Sequence, residues 1–324
     1  MLASRYDARV SSPDPLSSRP PKSSPLQVFD VLSRSRAQLE RSTALGDALL
    51  LAQWRNDHDR PCYQRPGHHT LSVYLEGGEG TRLVGGSGQP GAPGRYCILP
   101  AGHESQWEVA RPFRFLHLYL SGPAWADRVV RLLDAEPRAH TLEQCIYGFD
   151  GALASWALTV ARLDWQDPGA RLQANVLSHQ ALDRLVLQAA RPQTRHAALR
   201  LRGGLSSVAR RQVLAYIDAE LGGAAERLTL GGLAALAHLS EFHFARMFRV
   251  SMGCSVQEWV TQRRMARASV LLARNTLSLA EVARACGLCD TSHLSRLFRQ
   301  QLGVTPRQYR QAGGAARGMT PHPH

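Results

Sequence analysis

Lysine is all but missing from this 324-residue chain: Lys22 stands alone, and the rest of its 39 basic residues are arginine. Against 26 acidic residues the net charge is +13, which fits a polyanionic partner. The charge does not decide the matter, because a composition rich in arginine, alanine and glycine also follows from genomic base composition. Cysteine is sparse, with Cys62, Cys97, Cys145, Cys254, Cys286 and Cys289 as the full set. A disulfide framework belongs to small secreted domains, so reduced thiols in a cytoplasm are expected. Apolar runs approaching the roughly 18–20 residues of a membrane span are absent, so no membrane partner is expected. The opening stretch, MLASRYDARVSSPDPLSSRPPKSSP, has no apolar core of a secretory signal and reads as a disordered tail over 1–25. The apolar fraction of 44% is ordinary. It suffices for sizeable cores, and the length suits about two domains at roughly 100–200 residues each.

What the chain does have is a pattern written twice. Arg246-Met247-Phe248-Arg249, then Gly253, Ser255 and Trp259, is echoed by Arg296-Leu297-Phe298-Arg299, then Gly303, Thr305 and Tyr309. Upstream, Leu233-Ala234, Ala237 and Leu239 answer Val282-Ala283, Cys286 and Leu288 with the spacing shortened by one, a difference that a turn absorbs. A solenoid needs at least three repeats to bury a continuous core, so two copies make a duplicated motif. Each unit reads as a short helix, a tight turn and a second helix carrying arginine on one face. That is the pattern of a helix-turn-helix reader of duplex DNA.

The second helices are expected over Glu241–Val250 and Thr291–Gln301. Apolar spacing buries Phe244, Met247 and Phe248 in the first, and Leu294, Leu297 and Phe298 in the second. Arg246 and Arg296 then face outward at matched positions, where an arginine can bond a guanine bidentately or clamp a phosphate. Arg249 and Arg299 suit phosphates, and the hydroxyls of Thr291, Ser292 and Ser295 can meet base or backbone. Cys286-Gly287-Leu288-Cys289 has a metal-like spacing but no second pair, so Cys286 reads as the small residue ending a helix and Gly287 as its left-handed turn. His238 stands where Gly287 stands in the other unit, a position histidine tolerates better than most residues.

The stretches LTLGGLAALAHLSEFHFARMFRVSMGCSVQEWV, RRMARASVLL and LSLAEVARACGLCDTSHLSRLFRQQLGVTPRQYR resemble the C-terminal domain of AraC/XylS-type transcription regulators. The likeness covers about 206–312 and includes the arrangement from Gly287 to Pro306. It implies seven helices, two helix-turn-helix units on a central linker helix, and two recognition helices in successive major grooves. By matched position it implies base contacts from Phe242, Ala245 and Arg246, and from Thr291, Ser292, His293, Ser295 and Arg296. Ala245 is too short to hydrogen-bond a base and can offer only contact with a thymine methyl.

Ahead of that domain, 26–190 changes character twice. From His68 to Tyr119, short apolar or alternating runs broken by Gly and Pro predict strands. From Pro123 to Ala190 the period becomes helical, and Leu172, Val176, Leu177, Leu182, Leu185 and Val186 form a stripe suited to the strands or to a second subunit. The segment 191–205 reads as a linker and 313–324 as a frayed tail. The fold class expected is α+β: a β-rich, cupin-like barrel with a helical dimerisation segment, then an all-α domain with two helix-turn-helix motifs. The run from Gly94 through Pro100 and Gly102 to His103 resembles part of a cupin motif. His68, His69, Glu76 and His103 would be its metal set, but neighbours on a strand point to opposite faces, so His68 and His69 cannot both enter one barrel. No metal, cofactor or catalytic residue is therefore assigned. Trp107, His117 and Tyr119 are candidates to line an effector pocket, or equally to fill a core. The chain is expected to be a cytoplasmic, homodimeric regulator that binds double-stranded DNA, answers a small-molecule effector, and acts as an activator that meets RNA polymerase. The rival from another class is a metal-dependent cupin enzyme fused to a DNA-binding domain.

Overall fold

The computed structural model describes residues 27–46, 49–86, 90–190, 202–223, 228–274, 276–302 and 305–317. The expected tail over 1–25, most of the expected linker, and the end of the chain past 317 lie outside them. Helix and sheet are mixed in the first half, and the last third is helical.

A short helix, α1 (Gln27–Arg34), buries Val28 and Leu32 and leads into the strands. These are β1 (Gln38–Leu45), β2 (Leu49–Asn56), β3 (Cys62–Gln64), β4 (His68–Gly77), β5 (Thr81–Leu83), β6 (Arg95–Leu99), β7 (Glu104–Val109) and β8 (Phe113–Ser121). A later strand, β9 (Cys145–Phe149), falls inside the stretch whose period reads as helical; it forms by antiparallel pairing with β6. Five residues are too few to set a period of their own, so the edge they pair with decides their state.

The barrel expected from the sequence does not close among the described residues. Six strands make one antiparallel sheet in the order β1-β2-β8-β4-β6-β9, and three make another in the order β3-β7-β5. β7 spends its ladder bonds on short β3 and β5, so β1 and β9 remain the edges of the large sheet.

Strand β8, FRFLHLYLS, shows why the sheet needs cover on both sides. Its Leu116, Leu118 and Leu120 join a core with Leu71, Val73, Trp125, Trp156, Leu182 and Leu185. Its Phe113, Phe115 and Tyr119 turn the other way, into a core with Trp54, Tyr63, Tyr74 and Trp107. Period-two alternation thus separates leucines facing helices from aromatics facing the small sheet.

The helical cover is α2 (Gly122–Leu133), α3 (Gly151–Arg162) and α4 (Pro168–Ala189). Each begins on a side-chain cap: Ser121, Asp150 and Asp167 accept backbone N–H groups of the first turn. The apolar stripe expected on α4 divides. Leu182 is 1% exposed, Leu185 and Val186 are fully buried, and Leu177 packs against the same core. Val176 is 49% exposed. The sheet therefore takes most of the stripe, and Leu182 and Leu185 are not an open face for a second subunit. Exposed apolar side chains on α3 and α4 are instead Leu158, Val176 and Leu187.

The helical last third holds α5 (Ser207–Glu220), α6 (Leu230–Leu236), α7 (Glu241–Met252), α8 (Val256–Arg274), α9 (Leu279–Ala285), α10 (Thr291–Leu302) and α11 (Pro306–Arg317). Helix α11 runs past the boundary expected at 312. Two cores serve this region, one around Phe244, Phe248, Met252 and Trp259, the other around Met265, Leu272, Leu294 and Phe298.

Candidate nucleic-acid interface

Both units are built on the same local chemistry. Thr229 and Ser240 cap α6 and α7, and Ser278 caps α9 through a reciprocal box with Glu281. Asp290 accepts the His293 amide at 2.7 Å at the start of α10. Two further reciprocal boxes recur fifty residues apart: Ser255 with Glu258, and Thr305 with Gln308. They start α8 and α11, which explains why the repeat keeps a hydroxyl at both places. Such boxes are legible in the sequence as Ser/Thr followed three residues later by Glu or Gln, a signal separate from the arginine and aromatic repeat.

The turns match as closely. His238 has φ +54° and Gly287 φ +66°, so both adopt the left-handed conformation expected of them. Leu239 donates to the Ala234 carbonyl at 3.0 Å, and Leu288 to the Ala283 carbonyl at 2.9 Å. Gly287 has a second reason to be glycine: a Cβ there would stand 2.5 Å from the Leu221 carbonyl oxygen. Cys286 is buried at the end of α9 while Cys289 is exposed, so the pair serves the turn.

Helices α7 and α10 present the same face. Phe244 and Phe248 are buried in the first, Leu294 and Phe298 in the second, and Met247 and Leu297 are half-buried. Phe248 meets the Trp259 ring at 6.2 Å, and Phe298 meets Tyr309 at 5.5 Å, both edge-on. The repeated aromatic thus pins each second helix to the helix that follows. Left outward on α7 are Glu241, Phe242, His243, Arg246, Arg249 and Val250, with Ala245 half-buried between them. On α10, Thr291, Ser292, Arg296 and Arg299 are exposed, and His293 and Ser295 half-buried. The hydroxyl of Ser295 donates to the Thr291 carbonyl at 2.8 Å. All ten residues expected to meet DNA therefore lie on two matched helices, with α8 between the units.

The candidate effector residues meet in the space between the sheets. Trp107 and His117 line a cavity of about 30 Å³ with Tyr63, Tyr74, Cys97 and Phe113. Tyr119 stands behind His117, its hydroxyl 2.9 Å from Nδ1 and accepting the Trp54 indole N–H at 3.1 Å. Burial, with repulsion from His68, pushes the His117 pKa down to about 3, and burial pushes His68 down to about 4. Both imidazoles are neutral at physiological pH.

The His68 ring lies 5.6 Å from that of Tyr119, tilted by 52°, whereas His69 lies 5.8 Å from the Trp125 ring on the helical side. Glu76 is exposed and paired with Arg114. The cupin-type metal set therefore diverges, and among the described residues no group of three or more His, Cys, Asp or Glu is arranged to hold a metal ion. No described helix is long and apolar enough to cross a membrane.

What the sequence did not show is how the DNA-reading third is seated on the first half. Arg210 of α5 is buried and reaches Glu136 at 3.1 Å and the Asp134 carbonyl at 3.2 Å. Arg138 donates to the Arg202 and Gly203 carbonyls. Arg263 of α8 pairs with Asp218 and, at 3.6 Å, with Asp127 of α2. Ala126 of α2 enters the core of the first unit, while α11 lies against α4.

Two helix-turn-helix units on one linking helix define a double reader of duplex nucleic acid. Residues 233–312 match the family described as helix-turn-helix domain, and this part of the chain is an AraC-type DNA-binding domain. The chain is 37% identical over 101 residues to the regulatory protein PocR of Salmonella typhimurium, spanning 31% of this chain and 32% of that protein. It is 34% identical over 80 residues to the transcriptional activator RhaR of Cronobacter sakazakii, spanning 25% and 28%. The matched stretch is thus about a third of the length of these relatives. Among solved structures, the DNA-binding domain of AdpA in complex with a target DNA is 33% identical, covering 34% of this chain and 96% of that one, with a TM-score of 0.31.

Proposed function

We propose that this protein is a sequence-specific transcription regulator that binds double-stranded DNA through α7 and α10. The observation that carries the reading is the matched outward face of the two helices, with Arg246 and Arg249 answered by Arg296 and Arg299. Phe242, Ala245 and Arg246 then meet the bases of one major groove. Thr291, Ser292, His293, Ser295 and Arg296 meet those of the next, and Arg249 and Arg299 meet phosphates. The first half, 26–190, is the signal-receiving part. A small-molecule effector enters the intersheet space at Trp107, His117 and Tyr119, which widens from its closed size to admit it. The exposed Leu158, Val176 and Leu187 supply the face for a homodimer. As an activator the protein meets RNA polymerase, in the cytoplasm. PocR and RhaR, described as a regulatory protein and a transcriptional activator, support the regulatory reading. The rival, a metal-dependent cupin enzyme, is disfavoured by the opposed directions of His68 and His69.

Two readers joined by one helix should touch major grooves about one helical turn apart, roughly 34–36 Å. Hydroxyl-radical footprinting of the full chain, on a duplex selected from a random-sequence library, should show two protected patches per subunit on one face of the DNA. Protection of a single groove, or of opposite faces, refutes the two-reader geometry.

A further inference from the structure

The two readers match in shape but not in chemistry, and Phe242 is where they part. It is 81% exposed, at the second position of α7 after the Ser240 cap, where recognition helices approach base edges. Its counterpart fifty residues on, after the Asp290 cap, is Ser292. One turn further along the same faces, Ala245 answers Ser295. Residues three apart on a helix are neighbours, so Phe242 and Ala245 form one apolar strip where α10 offers two hydroxyls. A single exposed apolar residue is ordinary on a protein surface. Here, however, the strip lies beside Arg246 and Arg249, both exposed, the residues that the proposed function sets on a base and on a phosphate of the same groove.

Neither Phe242 nor Ala245 carries a side-chain donor or acceptor. The one apolar group that a base pair shows in the major groove is the C5-methyl of thymine. We infer that α7 reads thymine methyls through Phe242 and Ala245, so that one half of the binding site is recognised by methyl contact beside Arg246 and the other, under α10, by hydrogen bonds alone. This rests on the DNA-reading function proposed above and adds the base that one helix selects. Arg246 fixes the register, and the ring of Phe242 lies against the methyl, removing both from water.

Uracil is thymine without the methyl, so it isolates this contact from pairing and from the phosphates. Full-length protein first selects a duplex from a random-sequence library. That duplex is then resynthesised with deoxyuridine replacing thymidine at one position at a time. Burying one methyl corresponds to about fourfold in affinity. The expected result is a loss of about that size at one or two positions in one half of the site. No such loss is expected in the half whose base preference Arg296→Ala relaxes. Phe242→Ala, at an exposed position where folding is little disturbed, should bind the thymine and uracil duplexes alike at the position Phe242 meets, and keep only a loss that Ala245 accounts for. Phe242→Ser, copying the other reader, should do the same. Indifference of the unsubstituted protein to every uracil overturns the inference. So does a Phe242→Ala variant that keeps the fourfold difference at every position where the unsubstituted protein shows it, the result expected if Phe242 meets a protein surface instead. If no sequence is enriched at all, sequence-specific reading itself fails, and the methyl contact with it.

Discussion

The Arg210–Glu136 pair joins the two halves of the chain, and its two partners should not be equally costly to remove. Arg210 is 2% exposed and holds Glu136 at 3.1 Å and the Asp134 carbonyl at 3.2 Å. Glu136 has other partners, since it accepts from Arg138 Nε at 2.7 Å and from the Ser251 hydroxyl at 3.4 Å. Glu136→Ala leaves a buried guanidinium with one carbonyl, and removing one partner of a buried pair costs about 3–5 kcal/mol. The lower end applies, about 3 kcal/mol, because the Glu136 side chain keeps 17% of its exposure and the Asp134 carbonyl stays. Arg210→Met keeps the apolar stem and leaves Glu136 its bond to Arg138, so about 1 kcal/mol is expected. The double variant should cost about 2 kcal/mol, giving a coupling of about 2 kcal/mol rather than additivity. Hydrogen exchange read on peptides of α5 and of the 134–140 turn, over a denaturant series, measures each opening free energy locally. Additivity within about 0.5 kcal/mol, or a Glu136→Ala variant less costly than Arg210→Met, would show that this pair does not hold the halves together.

Two further outcomes follow from burial. Leu182→Asp with Leu185→Asp places two charges in the core under the large sheet, so circular dichroism should show loss of the N-terminal fold; a folded, soluble monomer in light scattering would contradict that core. His117, at about 3, and His68, at about 4, are held below the ordinary histidine value near 6.5, so the unfolded chain binds more protons than the fold between those limits. Stability is therefore retained above pH 6.5 and lost as pH falls, by about 2 kcal/mol for each histidine at pH 5, and His117→Phe should flatten the denaturation midpoint against pH; an unchanged slope would refute the neutral burial of this imidazole.

The DNA-reading third was legible because its information is local and written twice. Helical spacing alone placed Phe244, Phe248, Leu294 and Phe298 inward, and comparison of the copies assigned the left-handed turn to His238. The first half was not, because its architecture is decided by strand partners far apart in sequence. FRFLHLYLS is apolar on both faces, and nothing in it says that one face meets helices and the other a small second sheet. Closure into a barrel or separation into two sheets turns on which edges β7 pairs with, and that information lies in β3 and β5, three residues each. Leu182 and Leu185 could be read as buried from their period, but not what buries them. Arg210 defeats sequence reading altogether: on an amphipathic helix it looks like a solvated charge, and only Glu136, seventy-four residues earlier, makes it an interior residue.

A reader half seated in this way differs from one tethered by a linker. Strand β8 carries His117 and Tyr119 on the face that lines the intersheet space, and it runs without interruption into α2. Helix α2 then supplies Ala126 to the core of the first reader and Asp127 to Arg263 of α8, the helix that joins the readers. The second reader touches different parts of the first half: α10 meets β1, and α11, which carries Tyr309 against Phe298, lies on α4. The two readers thus rest on different elements of one scaffold, the first on the continuation of β8, the second on β1 and α4. A packed core deforms by switching between arrangements rather than by yielding gradually. A molecule that widened the intersheet space would push on β8 and so on α2, which supports the first reader directly and reaches the second through its contact with α4. Groove spacing is fixed by the DNA, so the relative seating of α7 and α10 decides whether both readers fit it at once.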